Sequence, residues 1–231
     1  MKLALRVFGW FAVAAAAAFL VVQLYYLGRV WWMKDHDPAT TAFMQAGLER
    51  LREKKADAAL RNAWVPYDRI SAHLKRAVVA AEDARFVDHE GFDWDAIEKA
   101  LERNRRKGRV VVGGSTISQQ LAKNLFLSGE RSPWRKGQEA LITVMIEYVM
   151  DKRRILELYL NVIEWGDGVY GAEAAARHYF GASAQSLGAE PSARLAAIVP
   201  NPRFYDRNRS TPWITKKTQL ILDRMPSAEL P

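Results

Sequence analysis

The sequence contains no cysteine. This absence excludes disulfide scaffolds, cysteine-based zinc sites and thiol nucleophiles, and it suits an oxidising compartment. Long strand-like runs and internal repeats are also missing, and the one low-complexity segment is the alanine run Ala14–Ala18. Because no strand is convincing, the helix caps and apolar periodicities along the chain predict a mainly α fold.

Basic residues outnumber acidic ones, 34 against 26, which gives a formal net charge of +8. Nucleic acid, anionic lipid and a pyrophosphate substrate are all partner classes for such a surface. The basic residues are spread along the chain, however, with no block of lysine and arginine alone, no zinc finger and no aromatic RNA-binding motif. We therefore predict no nucleic-acid partner.

The segment Val7–Gly28 contains 22 residues without a formal charge, enough for a helix that crosses a bilayer. Lys2 and Arg6 precede it and predict a cytoplasmic N-terminus, with the rest of the chain outside. A cleaved signal peptide is the alternative, because the run Ala14–Ala18 offers A-x-A cleavage sites. The apolar segment continues beyond this run, which favours an uncleaved anchor.

Capping residues and apolar periodicity predict a series of helices along the rest of the chain. These helices are predicted to begin at Thr40 or Thr41, Ser71, Asp93, Ser115 or Thr116, Ser132-Pro133, Asp151 and Thr211-Pro212. The first is predicted to reach about Leu60, and Val110–Val112 is a candidate for short extended structure. The glycines within 166–171 predict a tight turn, and Pro200-Asn201-Pro202 predicts a helix end.

The first stretch that carries chemistry is Ala80–Asp93, AAEDARFVDHEGFD. Glu82 follows an apolar helical run, Ala77–Ala81. Partial desolvation of a carboxylate at such a helix end would raise its pKa and make it a better base. The alternative is that Glu82 and Asp83 are solvated acids at the end of a helix.

A second stretch, Gly113–Asn124, reads GGSTISQQLAKN. Two glycines followed by Ser115 and Thr116 before a helix resemble an anion nest, although the G-K-[ST] ending of a Walker loop is missing. Gln119 and Lys123 share a helix face because of their i, i+4 spacing. The alternative is an ordinary polar helix face with a capping serine.

The third stretch is Arg131–Thr143, RSPWRKGQEALIT, in which Arg135 and Glu139 have i, i+4 spacing. The alternative for this pair is an ordinary surface salt bridge, worth under about 1 kcal/mol. The fourth stretch, Lys152–Gly181, reads KRRILELYLNVIEWGDGVYGAEAAARHYFG. Its apolar and aromatic spacing is mostly that of helix packing.

In this order, the four stretches and the later LAAIVPNP resemble the peptidoglycan glycosyltransferases, a family also found at the front of bifunctional penicillin-binding proteins. The resemblance covers about Ala63–Tyr205 and rests mainly on the first two motifs, which are long and unusual. It implies a lysozyme-like helical domain with a small membrane-facing lobe, which Thr40–Leu60 and Arg103–Arg109 would supply here. The chain departs from the family at Ser118, where many members have threonine, and at Pro191 in the loosely matching last motif.

By resemblance, Glu82 takes the place of the catalytic general base and Glu139 that of the second essential carboxylate. Lys123 and Arg131 match positions that contact the lipid pyrophosphate. The other motif positions with implied substrate-binding roles are Asp83, Phe86, His89, Ser115, Thr116, Gln119, Gln120, Asn124 and Arg135. No metal ligand is implied and no cofactor is required, while a divalent cation, Mg²⁺ or Mn²⁺, is left open as an aid to pyrophosphate departure.

The implied reaction is the inverting polymerisation of lipid II into glycan strands, with release of undecaprenyl pyrophosphate, in cell wall biosynthesis. The implied partners are lipid II, the growing strand, the bilayer and cell-division proteins. We expect a single-pass protein of the bacterial inner membrane with a periplasmic catalytic domain. The predicted parts are a cytoplasmic tail (1–6), a transmembrane anchor (7–28), a linker with a membrane-proximal helix (29–62) and the glycosyltransferase domain (63–231).

Two other functions stay open at this point. One is a lysozyme-like enzyme that cleaves peptidoglycan with a glutamate in a helical cleft. The other is a non-catalytic membrane protein of the division complex. The basic set around Lys123 and Arg131 argues against cleavage. A bifunctional penicillin-binding protein is excluded by the length of 231 residues and by the absent K-T-G motif, since Lys217-Thr218 is followed by Gln219.

Overall fold

The structure is a computed structural model that describes residues 2–109, 113–130 and 132–231. Within it the chain forms two compact units, Met1–Asp37 and Pro38–Pro231, which are taken separately below. Two predictions, the extended segment Val110–Val112 and the pyrophosphate contact of Arg131, lie outside the described residues.

The first unit consists mainly of one long helix, α1 (Lys2–Met33). By length and composition, its part Arg6–Met33 is able to cross a membrane. The apolar side chains of this part are largely exposed, with Phe8 and Phe11 among the most open. Such a surface needs an apolar surrounding, which fits the prediction of an N-terminal membrane helix. The helix extends beyond both ends of the uncharged run Val7–Gly28.

The described part of the second unit is built mainly from helices, which confirms the predicted mainly α class. These helices are α2 (Ala42–Arg52), α3 (Ala72–Glu82), α4 (Trp94–Lys107), α5 (Ile117–Phe126), α6 (Pro133–Val149), α7 (Lys152–Val162), α8 (Ala172–Phe180), α9 (Ala189–Ile198), α10 (Pro202–Arg207) and α11 (Pro212–Arg224). Short 3-10 turns lie at Tyr67–Arg69, Ala184–Ser186 and Met225–Ser227.

Side-chain caps explain where most of these helices begin. Each capping oxygen accepts a hydrogen bond from the backbone N–H three residues further on, a donor that the helix itself leaves unpaired. The capping residues are Thr41, Ser71, Asp93, Thr116, Ser132, Asp151 and Thr211. All of them were predicted as helix starts.

Two helix boundaries differ from the prediction. Helix α2 ends at Arg52 and does not reach Leu60, because residues 53–59 have no apolar face to bury. The predicted helix end at Pro200-Asn201-Pro202 is present, because α9 ends at Ile198, but the start of a further helix, α10, at Pro202 was not predicted. Proline at the first helical position lacks only an N–H that has no partner in the helix, so it starts helices as well as stopping them.

A small three-stranded sheet was not predicted. It consists of β1 (Arg61–Asn62), β2 (Glu164–Gly166) and β3 (Val169–Tyr170), in the order β1-β3-β2. Strand β1 pairs parallel to β3, and β2 pairs antiparallel to it. Gly171 follows β3 with φ +84°, and a Cβ there would lie 2.9 Å from the Asn161 carbonyl oxygen, so the chain needs glycine at this point.

The core of the second unit brings the end of α3 close to α5. Helix α9 packs against both α3 and α11, while α5 packs against α6 and α7. Fully buried side chains at these contacts include Val78 of α3, Leu121 of α5, Ile146 of α6 and Leu158 of α7. Burial of each such side chain contributes about 1.5–3 kcal/mol, which holds the helices that carry the site in place.

Candidate active site

Glu82 is the last residue of α3, where it is enclosed on most sides. Burial raises the pKa of its carboxyl group above the ordinary value, and the hydrogen bond from Gln120 lowers it by a smaller amount. The Gln120 amide nitrogen donates to Glu82 Oε2 at 2.9 Å, and the Tyr159 hydroxyl donates to the Gln120 amide oxygen at 2.9 Å. The predicted desolvated carboxylate at a helix end is therefore present.

Asp83 joins the first motif to the start of α5. Its buried carboxylate accepts the backbone N–H of Ile117 on one oxygen, at 2.9 Å, and His89 Nε2 on the other, at 2.9 Å. The His89 Nδ1 atom accepts the Gly91 N–H, so the proton of a neutral ring sits on Nε2 and points at Asp83. This arrangement ties the residue after Glu82 to the helix that carries Lys123.

The Gly-Gly segment does not form the predicted anion nest. Neither Gly113 nor Gly114 has a positive φ, and the Ile117 N–H at the helix start already donates to a carboxylate. Thr116 and Gln119 form a capping box, in which the Gln119 amide oxygen accepts the Thr116 N–H. Gln119 thus lies buried at the helix start and does not share an open face with Lys123.

Glu139 on α6 is the second carboxylate of the site and is only 3% exposed. One of its oxygens accepts from Arg135 at 2.7 Å, and the other accepts from Lys136. Lys136 also lies 3.4 Å from the Ser115 hydroxyl. Because the carboxylate is buried, the pair is not the ordinary surface salt bridge that was the alternative. Lys136 was not predicted as a site residue, although its i, i+3 spacing to Glu139 was a usable signal.

Lys123 on α5 is a partly buried cation close to both carboxylates. Burial lowers the pKa of its ammonium group, Glu139 and Glu82 raise it, and Arg135 lowers it further. Its nitrogen lies 5.4 Å from the centre of the Phe43 ring. Within the described residues it makes no hydrogen bond or ion pair, so its three donors are available to an anionic ligand.

Comparisons with known proteins identify the family. The family model of transglycosylases matches residues 49–226 of the chain. This chain belongs to the transglycosylase family. Among its relatives, biosynthetic peptidoglycan transglycosylases are 63% identical in Nitrosospira multiformis over 215 residues, covering 93% of this chain and 94% of the relative. In Chromobacterium violaceum the identity is 59% over 218 residues, with 94% and 96% covered. In Janthinobacterium sp. (strain Marseille) it is 55% over 231 residues, and both chains are covered completely.

The match confirms the transglycosylase resemblance that the motifs indicated, and it spans all of them. Several predicted site residues of this transglycosylase are buried and pack against or bond to other residues of the motifs. Phe86 is fully buried, with the Lys152 ammonium 4.7 Å from its ring centre. Asn124 donates to the backbone carbonyl of Gln120 at 2.7 Å. Both residues therefore fix the positions of the motifs.

Besides Lys136, two further residues of the transglycosylase site escaped prediction. The Tyr159 hydroxyl bonds to Gln120, and the charge of Lys217 on α11 lowers the pKa of Glu82. Tyr159 belongs to the aromatic spacing that predicts helix packing, and Lys217 enters the sequence prediction only through the absent K-T-G motif. Their sequence distances from Glu82 carry no spacing signal, since only the packing of α7 and α11 brings them close.

Proposed function

We propose that this transglycosylase polymerises lipid II into glycan strands and releases undecaprenyl pyrophosphate, with Glu82 as the general base. As a member of the family it is a peptidoglycan glycosyltransferase of cell wall biosynthesis. The observation that carries the residue assignments is Lys123, a partly buried cation that interacts electrostatically with both Glu82 and Glu139. This arrangement puts a base and a cationic site within one cluster.

The nucleophile of the reaction is the 4-hydroxyl group of the incoming sugar. This hydroxyl is a poor nucleophile at neutral pH, so a positioned base lowers the barrier and typically accelerates the step by about 10²–10⁴-fold. Glu82 takes the hydroxyl proton as the new O–C1 bond forms. The raised pKa of its carboxyl group makes the ionised form a stronger base than a solvated glutamate.

The leaving group is the lipid pyrophosphate, whose bond to C1 breaks with inversion. It departs as an anion and needs charge neutralisation more than a proton. Within the described residues, the Lys123 ammonium group makes no hydrogen bond and the buried Nε–H of Arg135 has no acceptor. Glu139 orients Arg135 and Lys136 through its two oxygens. Arg131 completes this cationic set by resemblance.

The anchor would keep the site beside a lipid-linked substrate. Helix α1 has the length and composition of a single membrane span. We place the protein in the bacterial inner membrane with its catalytic unit in the periplasm, where it would meet lipid II, the growing strand and cell-division proteins. The reaction as written needs no cofactor, and a divalent cation would serve only to assist pyrophosphate departure. Membership of a family whose relatives are named biosynthetic transglycosylases argues against both alternatives, peptidoglycan cleavage and a purely structural role.

The test uses the full-length protein reconstituted in lipid vesicles. Labelled lipid II is supplied with and without Mg²⁺ or Mn²⁺, and purified sacculi are supplied in parallel. We expect long glycan strands from lipid II and no soluble fragments from the sacculi. Soluble fragments without strands would favour the cleaving enzyme instead, and inactivity on both substrates would favour the non-catalytic protein. If a chelator abolishes glycan-strand synthesis, the reaction requires a divalent cation.

A further inference from the structure

Three helices meet at a short chain of hydrogen bonds behind the proposed base. Tyr159 on α7 has no exposed surface, and its hydroxyl donates to the Gln120 amide oxygen at 2.9 Å. The Gln120 amide nitrogen on α5 donates to Glu82 Oε2 on α3, also at 2.9 Å. The chain therefore runs from the Tyr159 hydroxyl through one amide to the Glu82 carboxylate.

The direction of this chain depends on which end of the Gln120 amide faces Glu82. A primary amide has a donor end and an acceptor end and can turn by half a rotation. With its NH₂ group towards Glu82, it stabilises the ionised carboxylate, whereas its oxygen in that place would favour the protonated acid. A phenol that donates to the amide oxygen holds this oxygen away from Glu82. The Tyr159 hydroxyl thereby selects the orientation that suits a base.

The phenol is suited to act as a permanent donor. Burial, together with the negative charges of Glu82 and Asp83, raises the pKa of Tyr159 well above its ordinary value. The hydroxyl therefore keeps its proton throughout the working pH range of the enzyme. A deprotonated phenol would have to accept a hydrogen bond and would turn the amide around.

We propose that Tyr159 is a positioning residue for the glycosyl transfer, because its hydroxyl fixes the Gln120 amide so that the amide supports ionised Glu82. This proposal rests on the proposed function, in which Glu82 is the general base. Tyr159 does not touch the substrate. It acts on the reaction through Gln120 alone.

The first test is the pH dependence of kcat/KM for lipid II polymerisation by full-length protein in vesicles. Tyr159→Phe removes the donor and keeps the ring. We expect the acid limb of its profile to move up by about one pH unit, about tenfold in the protonation equilibrium, with activity recovering towards alkaline pH. A p-aminophenylalanine at position 159 keeps a donor and should restore the limb. Tyr179→Phe, which removes a hydroxyl bonded to the Trp165 carbonyl at 2.8 Å, should leave it unchanged.

The second test asks whether Tyr159 acts through Gln120. Gln120→Met removes the amide, so it should move the acid limb in the same direction. The double variant should behave like Gln120→Met alone, because the hydroxyl then has no amide to orient. The Gln120→Met and p-aminophenylalanine variants keep the proposal testable if Tyr159→Phe does not fold.

The outcomes separate the two proposals. An unshifted acid limb in Tyr159→Phe, with activity reduced equally at every pH, would overturn the positioning role and leave a packing role. Additive losses in the double variant would overturn it too. By contrast, a Glu82→Gln variant that retains the wild-type acid limb would remove Glu82 as the base, and the proposed function would fail at that point.

Discussion

Glu82 is a residue whose placement costs stability. Its carboxyl group is enclosed, and burial raises its pKa because the ionised form loses water. A solvated glutamate at the same helix end would keep its water and cost the fold less, but it would be a weaker base. The trade of stability for activity is expected at catalytic sites.

Glu82→Gln should therefore stabilise the fold at neutral pH. A carboxyl group whose pKa is raised by folding stabilises the fold below its unfolded pKa, and that contribution is lost as the pH rises through the folded value. The variant should unfold about 2–4 °C higher than wild type at neutral pH for each 1 kcal/mol gained. The difference should be close to zero at about pH 3, where the carboxyl group is protonated in both the folded and the unfolded protein.

Thermal unfolding at the two pH values measures this directly. Glu90→Gln, which neutralises an exposed acid of the same motif, is the matched control and should not change the midpoint. Equal midpoints for Glu82→Gln and wild type at neutral pH would mean that the carboxylate is not strained by burial.

Lys123→Met should abolish most of the activity while the protein stays folded. The change keeps the apolar stem and removes the ammonium group that we propose binds the pyrophosphate. Loss of one preorganised charge donor typically costs about 10²–10³-fold in rate. The measurement is the initial rate of lipid II polymerisation, with exposed Lys99→Met on α4 as control. A rate within a few-fold of wild type would exclude Lys123 from the pyrophosphate site.

At the scale of elements, the hydrogen-bonded contact between the end of α3 and the start of α5 positions the catalytic groups. Asp83 accepts hydrogen bonds from His89 and from the Ile117 N–H. These bonds hold the end of α3, which carries Glu82, close to α5, which carries Lys123. Asp83→Asn replaces one carboxylate oxygen by an NH₂ group, so a single uncharged oxygen must serve both buried donors and their hydrogen bonds weaken. We expect a loss of about 1–3 kcal/mol in the free energy of unfolding.

Urea or thermal unfolding checks this prediction. Asp88→Asn, at an exposed acid of the same loop, is the control and should stay within about 0.5 kcal/mol of wild type. An Asp83→Asn protein as stable as the control would show that the two hydrogen bonds of Asp83 do not hold α3 and α5 together.

The helix starts could be predicted because their causes are local. A cap such as Ser71 or Asp93 bonds to a donor three residues away, so a short window of sequence contains both partners. The sheet could not be predicted, because Arg61 pairs with Val169 across more than a hundred positions and each strand has only two or three residues. Tyr159 was missed for the same reason, since only tertiary packing brings it to Gln120.

The functional residues fall between these cases. Glu82, Glu139 and Lys123 were assigned by motif resemblance, and the structure places all three in one cluster. The anion nest was inferred from Gly113 and Gly114 followed by Ser115, Thr116 and a helix start, and it fails because the backbone conformation of these glycines depends on their surroundings. Composition indicates that such a loop can bind an anion, but not whether its donors are already paired.

At the scale of the whole molecule, the membrane orientation is testable because the chain has no cysteine. A single reporter cysteine can be introduced without background, by Ala4→Cys near the N-terminus or by Asp88→Cys in the exposed loop. In spheroplasts treated with a membrane-impermeant maleimide, we expect Asp88→Cys to be labelled at once. Ala4→Cys should react only after the membrane is lysed. The reverse pattern would contradict a periplasmic catalytic unit.

The account depends most on Glu82 as the group that takes the proton of the acceptor hydroxyl. The decisive measurement is the rate of lipid II polymerisation by full-length Glu82→Gln in vesicles, for protein with wild-type circular dichroism and an unfolding midpoint at least as high. We predict a loss of about 10²-fold or more. Strand synthesis by this folded variant at the wild-type rate would contradict the account.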